Sequence, residues 1–311
     1  FRTLERGIAL FEDVARAALS EGRTSIGGED IFKLYDTFGF PPDLTEIMAA
    51  EKGLAADLAG YEQVMERQRE RSRLADNRYV VAGEWTILRE GAADTFVGYH
   101  QLELTSEVLR FRAHDGTNRV DVLLRETPFY AESGGQVGDQ GSIESETGDL
   151  VLRVVDTIKT TAGITHVTEL ESGELTAASL SRPLIARVDG RRRFLTTCNH
   201  TATHLLHAAL HRFVSDQAFQ AGSLVAPDRL RFDFNHSAPV TSEQLRDIET
   251  WVNEQIHEGT QLRIDTDVPI ADAEKRGAMM IFGEKYGASV RVVEIPGKST
   301  ELCGGCHVGN T

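Results

Sequence analysis

The chain predicts an α+β fold in three successive parts: a helical segment over 1–77, a β-rich, barrel-like domain over 78–188 and an α/β core over 189–311. Three observations carry this. Apolar residues recur at helical spacing in the first part. They alternate with polar residues on both sides of turn signals in the second. Helix and strand patterns then follow one another to the end.

In the helical segment, Leu4, Ile8, Phe11 and Ala15 fall on one stripe, and Ile31, Leu34, Tyr35 and Phe38 on another. Gly39 can end the second helix, and Pro41-Pro42 forbid its continuation. Asp43 with Glu46 three residues later reads as a capping-box restart. A further helix is predicted from Gly60 into the arginine run "ERQRERSR". From about Arg78 the period changes to two. "VLRFRAHDGTNRVDVLL" alternates around Asp115-Gly116, and "GSIESETGDLVLRVVDTI" repeats the pattern around Thr147-Gly148, so each reads as a hairpin. Between them lies "FYAESGGQVGDQGSI", with Gly134, Gly135, Gly138 and Gly141. It matches neither the P-loop nor the dinucleotide pattern, and reads as a tight corner that needs glycine. In the core, "CNHTATHLLHAALHRFV" is helical, and Leu230, Phe232 and Phe234 alternate on a strand. Thr241 and Gln244 box the start of an amphipathic helix that Gly259 stops, and "VRVVEIP" is a strand.

Composition narrows the class. Hydrophobic residues make up 41% and charged residues 26%, the balance of an ordinary globular chain, and no run is apolar for long enough to span a bilayer. The three cysteines, Cys198, Cys303 and Cys306, are too few for a disulfide scaffold and suit a reducing, cytoplasmic setting. The chain starts at Phe1 rather than Met, which suggests a piece of a longer protein. A net charge of −15 argues against non-specific nucleic-acid binding. Two basic runs are local exceptions: Arg67, Arg69, Arg71 and Arg73, then Arg187, Arg191, Arg192 and Arg193. Each run is either a solvated face or a set of phosphate contacts.

The chemistry concentrates in two short stretches. Cys303-Gly-Gly-Cys306-His307 has the spacing that attaches a c-type haem, and it also contains Cys303-x-x-x-His307. "HTATH", His200 to His204, puts two imidazoles one helical turn apart on one face, as a zinc-binding helix does. Alone, that pair could belong to an ordinary surface helix. Thr201 stands where a zinc protease motif needs glutamate, which disfavours a protease. Haem attachment needs an axial partner and an export route, and none of the four methionines has a suggestive context. Taken together, His200, His204, Cys303 and His307 make a tetrahedral zinc shell, with Gly304 and Gly305 letting the loop fold tightly.

"HTATHLLHAAL" with a distant "STELCGGCHV" resembles the editing site of the alanyl-tRNA synthetase family, whose usual second half reads C-G-G-T-H. "FKLYDTFGFPPDLT" resembles that family's tRNA-recognition helices, "TPFYAESGGQVGDQGSI" the opening of its editing module, and "QAGSLVAPDRLRFDFNH" and "GAMMIFGEKYGASVRVV" its core. The resemblance covers nearly the whole chain.

It implies that the whole enzyme charges tRNA(Ala) with alanine using ATP and Mg²⁺. The present stretch, with no counterpart of the aminoacylation domain, would hydrolyse mischarged seryl- and glycyl-tRNA(Ala). A pocket sized for alanine cannot sterically reject glycine and excludes one added hydroxyl poorly, so a second, hydrolytic site is needed. By position, the resemblance implies His200, His204, Cys303 and His307 as ligands of one Zn²⁺. It implies Gln220 in the editing pocket, where the bare sequence reads only a polar loop residue. Thr201 and Thr203 could help place a water. Arg67, Arg69, Arg71, Arg73, Arg191, Arg192 and Arg193 are the candidate tRNA contacts, and His207 and His211 read as packing or helix-surface residues, with tRNA contact as the alternative.

Cys306 replaces the usual threonine and is expected to be a spectator, because Cys303 and His307 already close the shell. Two other readings stay open: a free-standing or threonyl-type editing deacylase, and a non-catalytic, zinc-stabilised RNA-binding module. The sequence also leaves open whether the zinc is catalytic or anchoring, since four protein ligands resemble a closed site.

Overall fold

The computed structural model describes residues 2–38, 40–75, 83–236, 238–280 and 287–311, with side chains for all of these except 2–7, 9, 36–38, 66 and 68–75. The chain divides into two units, Phe1–Val81 and Ala82–Thr311.

The first unit holds the helices Arg2–Ser20, Gly28–Phe38, Pro42–Glu51 and Leu58–Ala75. Two short parallel strands, Ser25–Ile26 and Ala55–Ala56, tie their connections together. Part of each predicted stripe meets in one core: Phe11, Ala15, Ile31 and Leu34 are fully buried, joined by Phe40, whereas Ile8 and Tyr35 are exposed. The side chains of Leu4 and Phe38, and all of Gly39, lie outside the described residues. The third helix does not restart on an Asp43 cap. It begins at Pro42 with Pro41 as N-cap and no side-chain cap bond. Proline at the first helical position has its φ already set, and its missing N–H has no intrahelical partner to lose. The fourth helix starts two residues earlier than predicted, where Asp57 Oδ1 accepts from Gly60 N at 2.8 Å.

The second unit is built on an eight-stranded antiparallel sheet. Its spatial order is Thr86–Ile87, Val108–Ala113, Arg119–Leu124, Gly163–Ser172, Val151–Thr160, Gly141–Glu144, Leu184–Val188 and Glu103–Ser106. Register shifts at Val108/Arg110 and Val154/Asp156 mark bulges that increase the local bend. The sheet curls into a half-barrel, and its two outer strands do not pair with each other. Both predicted hairpins form, with Gly116 at φ 72° and Gly148 at φ 71° in their turns. Leu124, Phe129, Ile143 and Leu152 fill the concave core.

His166 lies fully buried in this sheet. The Val122 carbonyl, 2.9 Å away, can only accept, so Nδ1 carries the proton and Nε2 accepts from the Thr127 hydroxyl at 2.7 Å. Burial holds its pKa down to about 4. The unfolded chain therefore binds a proton here that the folded one refuses. As pH falls from about 6.5 to about 4, this group alone should cost on the order of 3 kcal/mol of stability. Urea unfolding of wild type and His166→Gln at pH 7 and pH 4.5 checks this: the wild type should lose the larger share of its stability on acidification.

The α/β part meets the sheet's connecting loops, through Tyr99, Gln136 and Asp139. Its long helix Gly190–Phe213 is capped by Asp189, which accepts from Arg192 N. A two-stranded ribbon follows, Gln220–Val225 with Leu230–Phe234, then the helix Ser242–Glu258 and the three-stranded sheet Arg263–Pro269, Ser289–Ile295 and Ser299–Leu302. The Thr241–Gln244 capping box is made in both directions, and Gly259 ends the helix at φ 63°.

Arg193 joins the two parts. It is 5% exposed, pairs with Asp139, and donates to the carbonyls of Gly98 at 2.6 Å and Pro128 at 2.9 Å. This corrects its reading as a phosphate contact: the helix turns about 100° per residue, so Arg191 and Arg192 stay exposed while Arg193 swings inward.

Candidate metal centre

The helix presents His200 and His204 on its buried face, and the loop after strand Ser299–Leu302 brings Cys303 and His307 opposite them. One ligand atom from each lies within 4.8 Å of the others. Cys303 Sγ is 3.4 Å from His200 Nε2 and 3.3 Å from His307 Nε2. Zinc bonds of roughly 2.0–2.3 Å give tetrahedral edges of roughly 3.4–3.7 Å, so these separations suit a shared ion. His204 Nδ1 is buried without a hydrogen-bond partner, an orphaned atom that a cation would satisfy. One sulfur and three imidazole nitrogens form a donor set suited to zinc.

The protein alone keeps this cluster uncharged. Burial, then the neighbouring His204, lowers His200 to about 3. Burial also lowers His204, holds His307 well below its ordinary value, and pushes the Cys303 thiol up to about 12. The imidazoles are thus ready as neutral ligands at pH 7, while ligation would have to displace the thiol proton.

The loop is clamped from three directions. Arg291 Nη1 donates to the carbonyls of Cys303 at 2.7 Å and Gly305 at 2.9 Å. The Tyr99 hydroxyl donates to Gly304 O at 2.6 Å, and the Arg291 guanidinium lies 4.3 Å from the Tyr99 ring centre. Gln136 Oε1 accepts from Cys306 N at 2.8 Å and stands 2.7 Å from His200 Nδ1. On the other side, the buried Glu301 carboxylate accepts from the Ser299 hydroxyl at 2.8 Å and lies 3.4 Å from His207 Nδ1 and 3.7 Å from His204 Nε2. His207 is buried and packs on Phe232.

Gly305 is where backbone meets ring. A Cβ there would sit 2.0 Å from His200 Cε1 and 2.5 Å from its Nδ1. Gly305→Ala should therefore push the loop off the helix and weaken zinc binding by a hundredfold or more, the scale of losing a ligand's orientation. Chelator competition measures this, with Gly304→Ala as the control, because nothing lies within 4 Å of a Cβ at Gly304.

Other predicted residues land differently. Thr201 Oγ1 lies 3.1 Å from His307 Nδ1, so it orients that imidazole. The Thr203 hydroxyl donates to Asn199 O at 2.8 Å, the common back-bond of a mid-helix threonine, and the residue is buried and does not line the cleft beside the cluster. Gln220 Nε2 donates to Ser223 Oγ at 3.2 Å on its own strand. Arg67 is exposed, and the side chains of Arg69, Arg71 and Arg73 lie outside the described residues. Arg187 pairs with Glu103 and Glu144. Cys306 is buried and not part of the four-residue cluster.

Sequence reasoning missed Gln136, Arg291, Tyr99 and Glu301. Only Gln136 left a trace, as the polar residue directly after Gly134-Gly135.

A cleft of about 950 Å³ opens beside the cluster. Its lining includes Thr201, Cys306 and His307, the polar side chains of Arg291 and Tyr99, and the apolar ones of Phe194, Leu205, Ile256 and Ile264. A partly buried S/N cluster beside a mostly apolar cleft of this volume fits a ligand-binding site.

The family described as tRNA synthetases class II (A) matches residues 1–192, and the chain belongs to it. The chain is similar to alanine–tRNA ligases along its whole length. It is 44% identical over 99% of its residues to that of Chlorobaculum tepidum, 46% over 99% to that of Synechococcus elongatus, and 44% over 99% to that of Geobacillus kaustophilus. It spans 36%, 35% and 35% of those proteins.

Proposed function

We propose that this chain is the proofreading portion of an alanine–tRNA ligase, and that it hydrolyses the ester of seryl- and glycyl-tRNA(Ala) at a Zn²⁺ site held by His200, His204, Cys303 and His307. The observation that carries the reading is the convergence of these four residues beside a cleft whose lining includes His307.

When bound, zinc would supply a Lewis acid for the ester carbonyl or for an attacking water. The chain's own residues do the rest. Thr201 orients His307, and Arg291 and Tyr99 hold the loop carbonyls in place. Phe194, Leu205, Ile256 and Ile264 give the amino-acylated end an apolar flank that limits bulk water. Gln220, on the ribbon beside the glycine-rich loop, is proposed to contact the substrate after a change of its Ser223 bond. Arg191 and Arg192, exposed on the first turn of the histidine helix, are proposed phosphate contacts. So are Arg67, Arg69, Arg71 and Arg73.

ATP- and Mg²⁺-dependent charging belongs in this reading to the whole ligase, and the chain spans about a third of the relatives' length. Among the described residues no helix is long and apolar enough to cross a membrane. A cytoplasmic site of action, where tRNA is charged, is part of the same proposal.

The test is direct: the purified zinc-loaded chain is incubated with seryl-tRNA(Ala) and with alanyl-tRNA(Ala). Faster loss of the seryl ester is expected. Zinc retention with no deacylation of either substrate would instead favour a zinc-stabilised RNA-binding module.

A further inference from the structure

We propose that Gln136 is the positioning residue of the metal centre: its single amide oxygen sets the tautomer of His200 and docks the Cys303–His307 loop on the histidine helix. The proposal rests on the metal-centre reading above and adds to it the role of the glycine-rich segment.

The chemistry follows from what each atom can do. A backbone N–H only donates, so the Gln136 atom 2.8 Å from Cys306 N is the amide oxygen. That same oxygen lies 2.7 Å from His200 Nδ1. Facing an acceptor, Nδ1 carries the ring proton. The lone pair is then on Nε2, the nitrogen directed at Cys303 Sγ 3.4 Å away. A residue 64 positions upstream thus decides which nitrogen His200 offers to a cation.

The backbone around Gln136 is built for this placement. Gln136 is fully buried. Its N donates to Ser133 O at 3.0 Å, and the segment joins the ribbon through Val225 N to Gly135 O at 2.7 Å and Val137 N to Val225 O at 3.1 Å. Gly135 has φ 82°, and a Cβ there would meet Ser223 Oγ at 2.2 Å. From the opposite side, a Cβ at Gly305 would come within 3.0 Å of Gln136 Oε1. Glycines on both sides let two loops close on one side chain. The segment read as a bare corner is therefore also the mount of a metal-site residue.

The test uses the full chain and zinc, without tRNA. Gln136→Met keeps length and removes the acceptor; Gln136→Glu keeps the acceptor. Zinc affinity by chelator competition should fall 10- to 100-fold in Gln136→Met and stay within threefold of wild type, or tighten, in Gln136→Glu. The visible spectrum of the Co²⁺-substituted protein should shift only in Gln136→Met. Independently of any variant, ¹⁵N-histidine NMR of the metal-free wild type should find His200 protonated at Nδ1, a readout that a purely structural role would not require and that survives if Gln136→Met fails to fold.

Wild-type affinity in Gln136→Met, an equal loss in Gln136→Glu, or an Nε2-protonated His200 would each overturn the proposal. Failure of the wild type to bind stoichiometric zinc would remove the metal-centre reading and this proposal together. The expected affinity pattern without seryl-tRNA hydrolysis would remove only the catalytic reading and support this one.

Discussion

Cys303→Ala should leave the chain without stoichiometric zinc and without hydrolysis of seryl-tRNA(Ala), while Cys306→Thr retains both. Cys303 supplies the only ligand that becomes anionic, and its Sγ stands centrally between His200 and His307. A four-ligand zinc site binds with roughly 10–16 kcal/mol, so one ligand accounts for about 3–4 kcal/mol, or two to three orders of magnitude in affinity. Cys306 shares the loop, and its backbone N–H donates to Gln136 whatever the side chain. A threonine at 306 keeps that bond. Metal analysis after dialysis, with deacylation assayed on the same samples, distinguishes the two cysteines. Zinc loss in Cys306→Thr with zinc retained in His307→Ala would mean that Cys306, not His307, is the fourth ligand.

Asp139→Ala should cost the second unit about 3–5 kcal/mol, the scale for leaving one partner of a buried ion pair uncompensated. Arg193 would remain buried with only the carbonyls of Gly98 and Pro128 to accept from it. Asp139 Oδ2 also accepts from Tyr130 N at 2.6 Å, so that buried N–H would lose its partner too. Because the pair links the curled sheet to the histidine helix, the loss should appear as one cooperative shift in urea unfolding rather than as a separate early transition. The double variant Asp139→Leu/Arg193→Met should recover much of it, since no charge is then left buried. A cost below about 1 kcal/mol for Asp139→Ala would show that water reaches the guanidinium and compensates it.

The sequence alone determined the features that depend on nearest neighbours. One helical turn separates His200 from His204, so their shared face follows from backbone geometry. The Thr241–Gln244 box, the Gly259 stop and the Asp115-Gly116 and Thr147-Gly148 turns each close within a few residues, where local dihedral preference dominates. Each half-site is ambiguous alone, and the pairing was legible because His200 and His204 with Cys303 and His307 together supply one four-donor set suited to zinc.

Only the tertiary structure decided which polar groups become partners across long separations. In sequence Arg193 is indistinguishable from Arg191 and Arg192, and Thr203 from Thr201. Yet packing buries Arg193 on Asp139 and leaves its neighbours in solvent. Gln136, Tyr99 and Arg291 come from three distant segments to hold one loop, and no local period marks them. The physical reason is one of range. Turn chemistry and helical periodicity are set by steric and hydrogen-bonding preferences a few residues long, whereas the partner a buried donor or charge must find is fixed only when the whole chain has closed around it.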